Sequence, residues 1–261
     1  MSGSILSAID KSVAILTFHN PERHNSVSLQ MWQDAASTLE RFAEDAAVRV
    51  VVLTGSGDKS FASGADISEF DAVRSDAQAA AVYDASLDRF WKALSDHPKP
   101  TVAKIRGYCI GGGLNIAACC DLRVCGEGSR FAVPAAKLGL GYGASTLRRL
   151  TALVGPQFAL EILLTARQFT ASEALQMGLV NHVVPDAEVE SYVQEMVSAI
   201  ALNAPLTMLA AKRVIHELLK DPQSQDLAAG EALVKQCFDS ADYREGRLAF
   251  REKRKPVFIG R

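Results

Sequence analysis

The sequence predicts an α/β layered core followed by a helical region, and three observations carry that prediction. Short apolar runs alternate with helix-spaced stretches up to about residue 144, helical spacing dominates beyond it, and three glycines, Gly111 to Gly113, separate an apolar run from an apolar helix. Residues 12–18 and 49–54 read as strands because both are rich in β-branched residues and end at turn formers. Residues 29–45, between them, carry apolar side chains at helical intervals. Residues 100–106 form the strand that leads into the glycines, and residues 121–125 and 130–133 continue the series. Helical patterns then cover 146–154, 158–164, 171–177, 188–201 and 206–219. A charged segment closes the chain, and one apolar run, 179–184, interrupts the helices.

This organisation divides the chain into a core, residues 1–195, that carries the site and a helical region, residues 196–261, of the kind that packs against neighbouring chains. No internal repeat or low-complexity tract is present. The 261 residues are 48% hydrophobic and 22% charged, with a net charge of −2, so no global field favours nucleic acid or an anionic membrane. The first ten residues lack a basic start and an apolar run, and no later stretch is long enough to span a bilayer; a cytoplasmic location is expected. Four of the five cysteines, Cys109, Cys119, Cys120 and Cys125, crowd one apolar stretch without nearby histidines, which fits buried reduced thiols better than disulfides or zinc.

Consecutive glycines after a strand permit a tight bend and close approach of another group. A helix that starts there presents unpaired N–H groups and the positive end of its dipole. Two readings fit: close helix–sheet packing, or stabilisation of a negative charge. No Gly-Lys-Ser/Thr follows, so the run is not a phosphate loop, nor does it match a dinucleotide fingerprint. A second stretch, residues 59–67, reads as a loop of small residues with unobstructed N–H groups. Together the two could form an oxyanion hole.

Five stretches carry a family resemblance. They are Asn20-Pro-Glu-Arg-His-Asn25, Phe61-Ala-Ser-Gly-Ala-Asp-Ile67, Gly107-Tyr through Asp121, Leu164-Thr-Ala with Ala171-Ser-Glu-Ala-Leu-Gln-Met-Gly-Leu-Val180, and Asp242-Tyr-Arg-Glu-Gly through Glu252-Lys-Arg. In that order they make the chain resemble the crotonase, or enoyl-CoA hydratase/isomerase, superfamily. The resemblance implies a spiral of ββα units with C-terminal helices that build a homotrimer or homohexamer. It also implies an acyl-CoA substrate whose thioester oxygen lies between the N–H groups of Ala65 and Gly112, with no cofactor beyond that CoA. Arg23, Ala62, Gly64, Asp66 and Ile67 would line the adenine and pantetheine, with Lys59 near the CoA phosphates and Phe250 and Lys253 as further contacts. For Lys59 and Lys253 a solvated surface lysine is the alternative, and Asp66 reads as a helix-start or loop-fixing carboxylate.

The chain departs from the family at the acids. Hydration needs a base for water and an acid for Cα, and the superfamily's hydratases use two glutamates. Their positions hold Asn115, after the glycines, and Ala135, after Phe131-Ala-Val-Pro134. An amide does not exchange protons usefully near neutral pH. Tyr142, four residues after Leu138, is the nearest polar substitute, and its spacing is similar to that in the methylmalonyl-CoA decarboxylases of the superfamily, although those retain an acid where this chain has Asn115. Decarboxylation needs no base to make the enolate, and Val133 with Ala135 would supply an apolar wall. Tyr142 as a half-buried loop aromatic, and Asn115 as a helix-interior amide, are the plain alternatives. His24 reads as a ligand contact or a loop-fixing residue, Glu161 as structural, and Glu69 and Asp71 as unplaced. The leading expectation is therefore a crotonase-type lyase that works through an enolate, with β-decarboxylation ahead of hydration or isomerisation by substitute residues. A non-catalytic acyl-CoA binder is the other class. RNA binding is disfavoured, since Arg148-Arg149 and the cluster at 253–255 are the only basic patches.

Overall fold

A computed structural model describes residues 3–69 and 75–261. β1 (Ser4–Asp10) and β2 (Val13–His19) form an antiparallel hairpin, and α1 (Leu29–Glu44) follows. The Ser28 hydroxyl accepts the Met31 N–H at 3.3 Å to start α1. Met31, Trp32, Ala35, Leu39 and Phe42 then recur on one buried face.

Three successive units next repeat a strand of a large sheet, a short strand of a small sheet and a helix. The first is β3 (Val50–Gly55), β4 (Ser60–Ala62) and α2 (Ala77–Ser95). The second is β5 (Thr101–Ile105), β6 (Tyr108–Ile110) and α3 (Gly112–Cys119). The third is β7 (Leu122–Gly126), β8 (Arg130–Ala132) and α4 (Ala144–Thr165). β9 (Phe169–Thr170), α5 (Ala171–Gln176), β10 (His182–Val184) and α6 (Val189–Ala201) complete the layers. α7 (Pro205–Leu218), α8 (Leu227–Asp239) and α9 (Ala241–Glu252) end the chain.

The large sheet has the order β1-β2-β3-β5-β7-β10, parallel from β2 onward, and the small sheet the order β4-β6-β8-β9. The parallel centre explains the unbroken apolar run of β3, which is buried on both faces. One core cluster joins Leu16, Leu53, Phe61, Phe90, Ile105 and Phe131 beneath α1 to α4. A second joins Val13, Val50, Val52, Val102 and Val124 on the other face of the large sheet to Val193 and Val197 of α6. The boundary expected after residue 195 thus falls inside a helix whose two halves both pack on the sheet; the helical region begins with α7.

Residues 59–67 differ from the loop expected there, because Ser60–Ala62 is β4, buried and paired with β6. Three small residues carry no alternation, and the partner strand lies far away in sequence. The helical patterns at 146–154 and 158–164 are the two halves of α4, broken at Gly155 (φ 75°) before Pro156. The charged terminal segment is α8 and α9, started by Asp226 and Ser240, which accept the N–H groups of Ala229 and Tyr243 at 3.0 Å each. With α7 these two helices enclose an apolar groove of about 910 Å³ lined by Ala210, Val214, Val234, Phe238, Phe250 and Phe258.

Candidate active site

The chain leaves β4 through Gly64 (φ 99°) and pairs Ala65 with Val27 in an isolated parallel bridge. Val27 N–H donates to Gly64 O at 2.8 Å and Asp66 N–H to Val27 O at 3.0 Å. That pairing engages the groups on either side of Ala65 and turns its own N–H to the opposite side, where no acceptor stands among the described residues.

The three glycines have separate tasks. Gly111 takes φ 55°, ψ −119°, and its N–H donates to Ala132 O of β8 at 2.8 Å, so the turn is anchored to the small sheet. Gly113 is a packing residue, since a Cβ there would lie 2.0 Å from Ala62 O. Gly112 is the first residue of α3, and its N–H has no carbonyl one turn behind it to accept it. A Cβ on Gly64 would stand 3.0 Å from Gly112 N, and one on Gly112 would stand 3.5 Å from Ala65 N. Both readings of the glycine run therefore hold, at different residues, and the two free N–H groups are neighbours.

The far end of α3 is tied down by two arginines. Arg123, 3% exposed, donates from Nη1 to Cys120 O at 2.5 Å and from Nε to Leu179 O at 2.8 Å. Arg149 donates to Cys119 O at 2.8 Å and Ala118 O at 3.2 Å. Cations at a helix C-terminus satisfy its open carbonyls and complement its dipole, so they fix the element whose first N–H is that of Gly112. Arg149, expected as part of a surface basic pair, is thus a buttress, while its neighbour Arg148 pairs with Asp221 at 2.8 Å.

Asn115 and Tyr142 meet beside this site. Asn115 is 7% exposed, one turn into α3, and its amide hydrogen-bonds the Tyr142 phenol. The Tyr142 hydroxyl stands about 4.0 Å from where a Cβ on Gly111 would lie. Burial pushes the phenol above its usual range, and the Asn115 bond opposes that rise. Val133 and Ala135 are buried in the turn that follows β8. Behind Asn115 lies a cavity of about 180 Å³ walled by three helices: Asp88, Trp91 and Ser95 of α2, Asn115, Ala118 and Cys119 of α3, and Thr146 and Arg149 of α4. The α2 residues were missed from sequence, because only the spacing 88, 91, 95 marks them and nothing in that spacing names a partner.

Arg23 meets Asp66 at 3.0 Å and also donates to the Ser68 hydroxyl. Burial of Asp66 favours its neutral form, but hydrogen bonds from the Ser68 hydroxyl and N–H and from Arg23 outweigh it and hold the carboxyl below its usual range. Asp66 therefore ties down the loop after β4. Ala62 is buried, while Ile67 (62% exposed) and Lys59 stand at the surface. His24 sits in the left-handed region (φ 52°), edge-on to the Tyr108 ring, and its carbonyl accepts the Ser60 hydroxyl. Asn25, 1% exposed, bridges Asn20 N–H to the carbonyls of Ser56 and Ser60. Glu69 accepts the Leu29 N–H at the start of α1, and Glu161 pairs with Arg167. Asp71 lies outside the described residues. Phe250 lines the α7–α9 groove and Lys253 closes α9 as its left-handed cap, so neither borders the cavity behind Asn115. The Cys109, Cys119, Cys120 and Cys125 thiols are all pushed up by burial, Cys125 to about 12.

The profile of the enoyl-CoA hydratase/isomerase family matches residues 8–261. The chain belongs to that family. It is 34% identical to the 2,3-dehydroadipyl-CoA hydratase of Escherichia coli over the full length of both chains. It is also 32% identical to the short-chain-enoyl-CoA hydratase of Clostridium acetobutylicum, over 93% of this chain and 92% of that one. Among solved structures, an enoyl-CoA hydratase/carnithine racemase from Magnetospirillum magneticum superposes with a TM-score of 0.92 at 36% identity, covering 100% of this chain and 97% of the other. The crotonase fold expected from the motifs is the fold of this chain, and the family is one of acyl-CoA enzymes. Relatives named as hydratases favour hydration over the decarboxylation that was placed first; nothing in their names supports the latter.

Proposed function

We propose that this enzyme binds an enoyl-CoA thioester, places the thioester oxygen between the N–H groups of Ala65 and Gly112, and adds water to the enoyl group or shifts its double bond. The convergence of two unpaired backbone donors supports this reading most directly. As negative charge gathers on that oxygen, donors already in place stabilise the enolate without reorganisation. Arg23, Lys59, Ala62, Gly64, Asp66 and Ile67 hold the CoA, and no cofactor beyond that CoA takes part. Asn115 and Ala135 cannot relay protons, so another group does.

A second reading, loss of carbon dioxide from a β-carboxyacyl-CoA, draws support from the neutral Asn115–Tyr142 pair, which could orient a carboxylate without adding charge. Assembly into a trimer or hexamer is part of the proposal, and the apolar α7–α9 groove supports it.

Offering crotonyl-CoA, a 3-enoyl-CoA and methylmalonyl-CoA in parallel, with products identified by mass spectrometry, tests these readings. Hydration or isomerisation is the expected outcome. Carbon dioxide release from methylmalonyl-CoA alone would move the assignment to the second reading, and binding without any turnover would defeat both.

A further inference from the structure

We infer that Asp88 is the group that takes and returns the substrate's Cα proton. The inference rests on the enolate reading above. Enolate formation breaks the Cα–H bond: the proton goes to a base, and the electron pair moves into the thioester, whose oxygen becomes the enolate oxygen. The family's two acidic positions hold Asn115 and Ala135, so the base comes from elsewhere.

Of the residues that line the cavity behind Asn115, Asp88 is the one carboxylate. α2 directs it there. Asp88, Trp91 and Ser95 occupy one face of that helix, at the spacing that stacks side chains along successive turns. Asp88 has no hydrogen bond or ion pair among the described residues, although two cations of α2 lie close to it in sequence. Both are engaged elsewhere: Arg89 donates from Nε to Glu40 at 2.8 Å, and Lys92, one turn beyond Asp88, pairs with Asp96 at 3.0 Å. A structural carboxylate on a helix would normally take the i+4 lysine. Here the acid faces a cavity shared with the buried amide of Asn115 and is left without a partner. The Ser95 and Thr146 hydroxyls on the same walls can pass hydrogen bonds to a bound water or to the acyl group.

The test is deuterium uptake at Cα of butyryl-CoA in heavy water, read by mass spectrometry, alongside the affinity for butyryl-CoA. Butyryl-CoA has no double bond to hydrate, so exchange reports proton transfer alone. Asp88→Asn is expected to slow exchange by about 100-fold or more with affinity kept within about threefold of wild type. Asp88→Glu is expected to recover part of the rate, which a merely structural position would not require. If Asp88→Asn exchanges at the wild-type rate while Gly112→Pro does not exchange, the Asp88 assignment falls and the enolate reading stands. If the wild-type protein neither exchanges nor turns over any thioester, the enolate reading fails and takes the Asp88 assignment with it.

Discussion

Replacing Gly112 with proline removes one of the two N–H donors while leaving the helix a residue it accepts, because the first position of a helix needs no N–H of its own and suits the fixed φ of proline. Gly112 is not among the glycines with positive φ, so the backbone there is open to other residues. The complication is steric: any Cβ at this position stands 3.2 Å from Gly64 Cα and forces a shift of a few tenths of an ångström. Gly112→Ala carries the same Cβ and keeps the N–H, so the ratio between the two variants isolates the donor. Crowding costs each about 1–2 kcal/mol of stability, a shared loss that thermal melting measures. Loss of one preorganised donor is worth about 2.7–4 kcal/mol in the transition state, or roughly 100- to 1,000-fold in kcat. The assay is turnover of whichever thioester the wild-type protein consumes, measured for both variants at saturating substrate. Proline activity within about tenfold of the alanine variant would refute the oxyanion assignment of Gly112.

Tyr142→Phe removes the partner of the buried Asn115 amide; it is expected to lower stability by about 1 kcal/mol in chemical denaturation and to reduce kcat more than KM. Arg123→Met strips its hydrogen bonds from the carbonyls of Cys120 and Leu179, and a loss of about 3–5 kcal/mol is expected in urea unfolding. His97 gives a pH signature. Burial first, and then the charge of Lys212, depress it from 6.5 to about 4 against the pull of its bonds to the Lys99 and Leu39 carbonyls. A base depressed in the folded state binds more protons when unfolded, so its contribution is present above pH 6.5 and is lost as pH falls toward 4. The expected loss is ~3 kcal/mol, and His97→Gln should flatten the melting profile over that window. The apolar α7–α9 groove predicts a species larger than one chain in sedimentation, and Phe250→Asp, at a residue 86% exposed in the isolated chain, should reduce its size.

The large sheet and the long helices were legible because their signal is local: β3 is a run of valines, and α1 carries a cap and an apolar stripe within sixteen residues. β1 escaped notice because five of its seven residues are exposed, as befits an edge, and β4, β6 and β9 because two or three residues hold no period. At the site, Ala65, Gly112, Asn115 and Tyr142 could be singled out from motif positions, and the structure brings them into one neighbourhood. Asp88, Arg123 and Arg149 could not be. A lone acid or arginine on an amphipathic stretch looks like surface until a second and a third helix are laid against it, and that placement is nonlocal.

The two donors lie where β4 and β6 end, on paired strands of one sheet. Their separation is therefore set by the spacing of strands, a property of every peptide backbone, and no side chain is needed to maintain it. The groups that would decide the fate of the enolate, Asp88, Asn115, Ala135 and Tyr142, project instead from helices and turns around that pair. Evolution can exchange them one at a time without disturbing the electrostatic centre. A fold arranged this way has a nearly mutation-proof catalytic heart and an interchangeable periphery, and so a change of reaction lies only a few codons away.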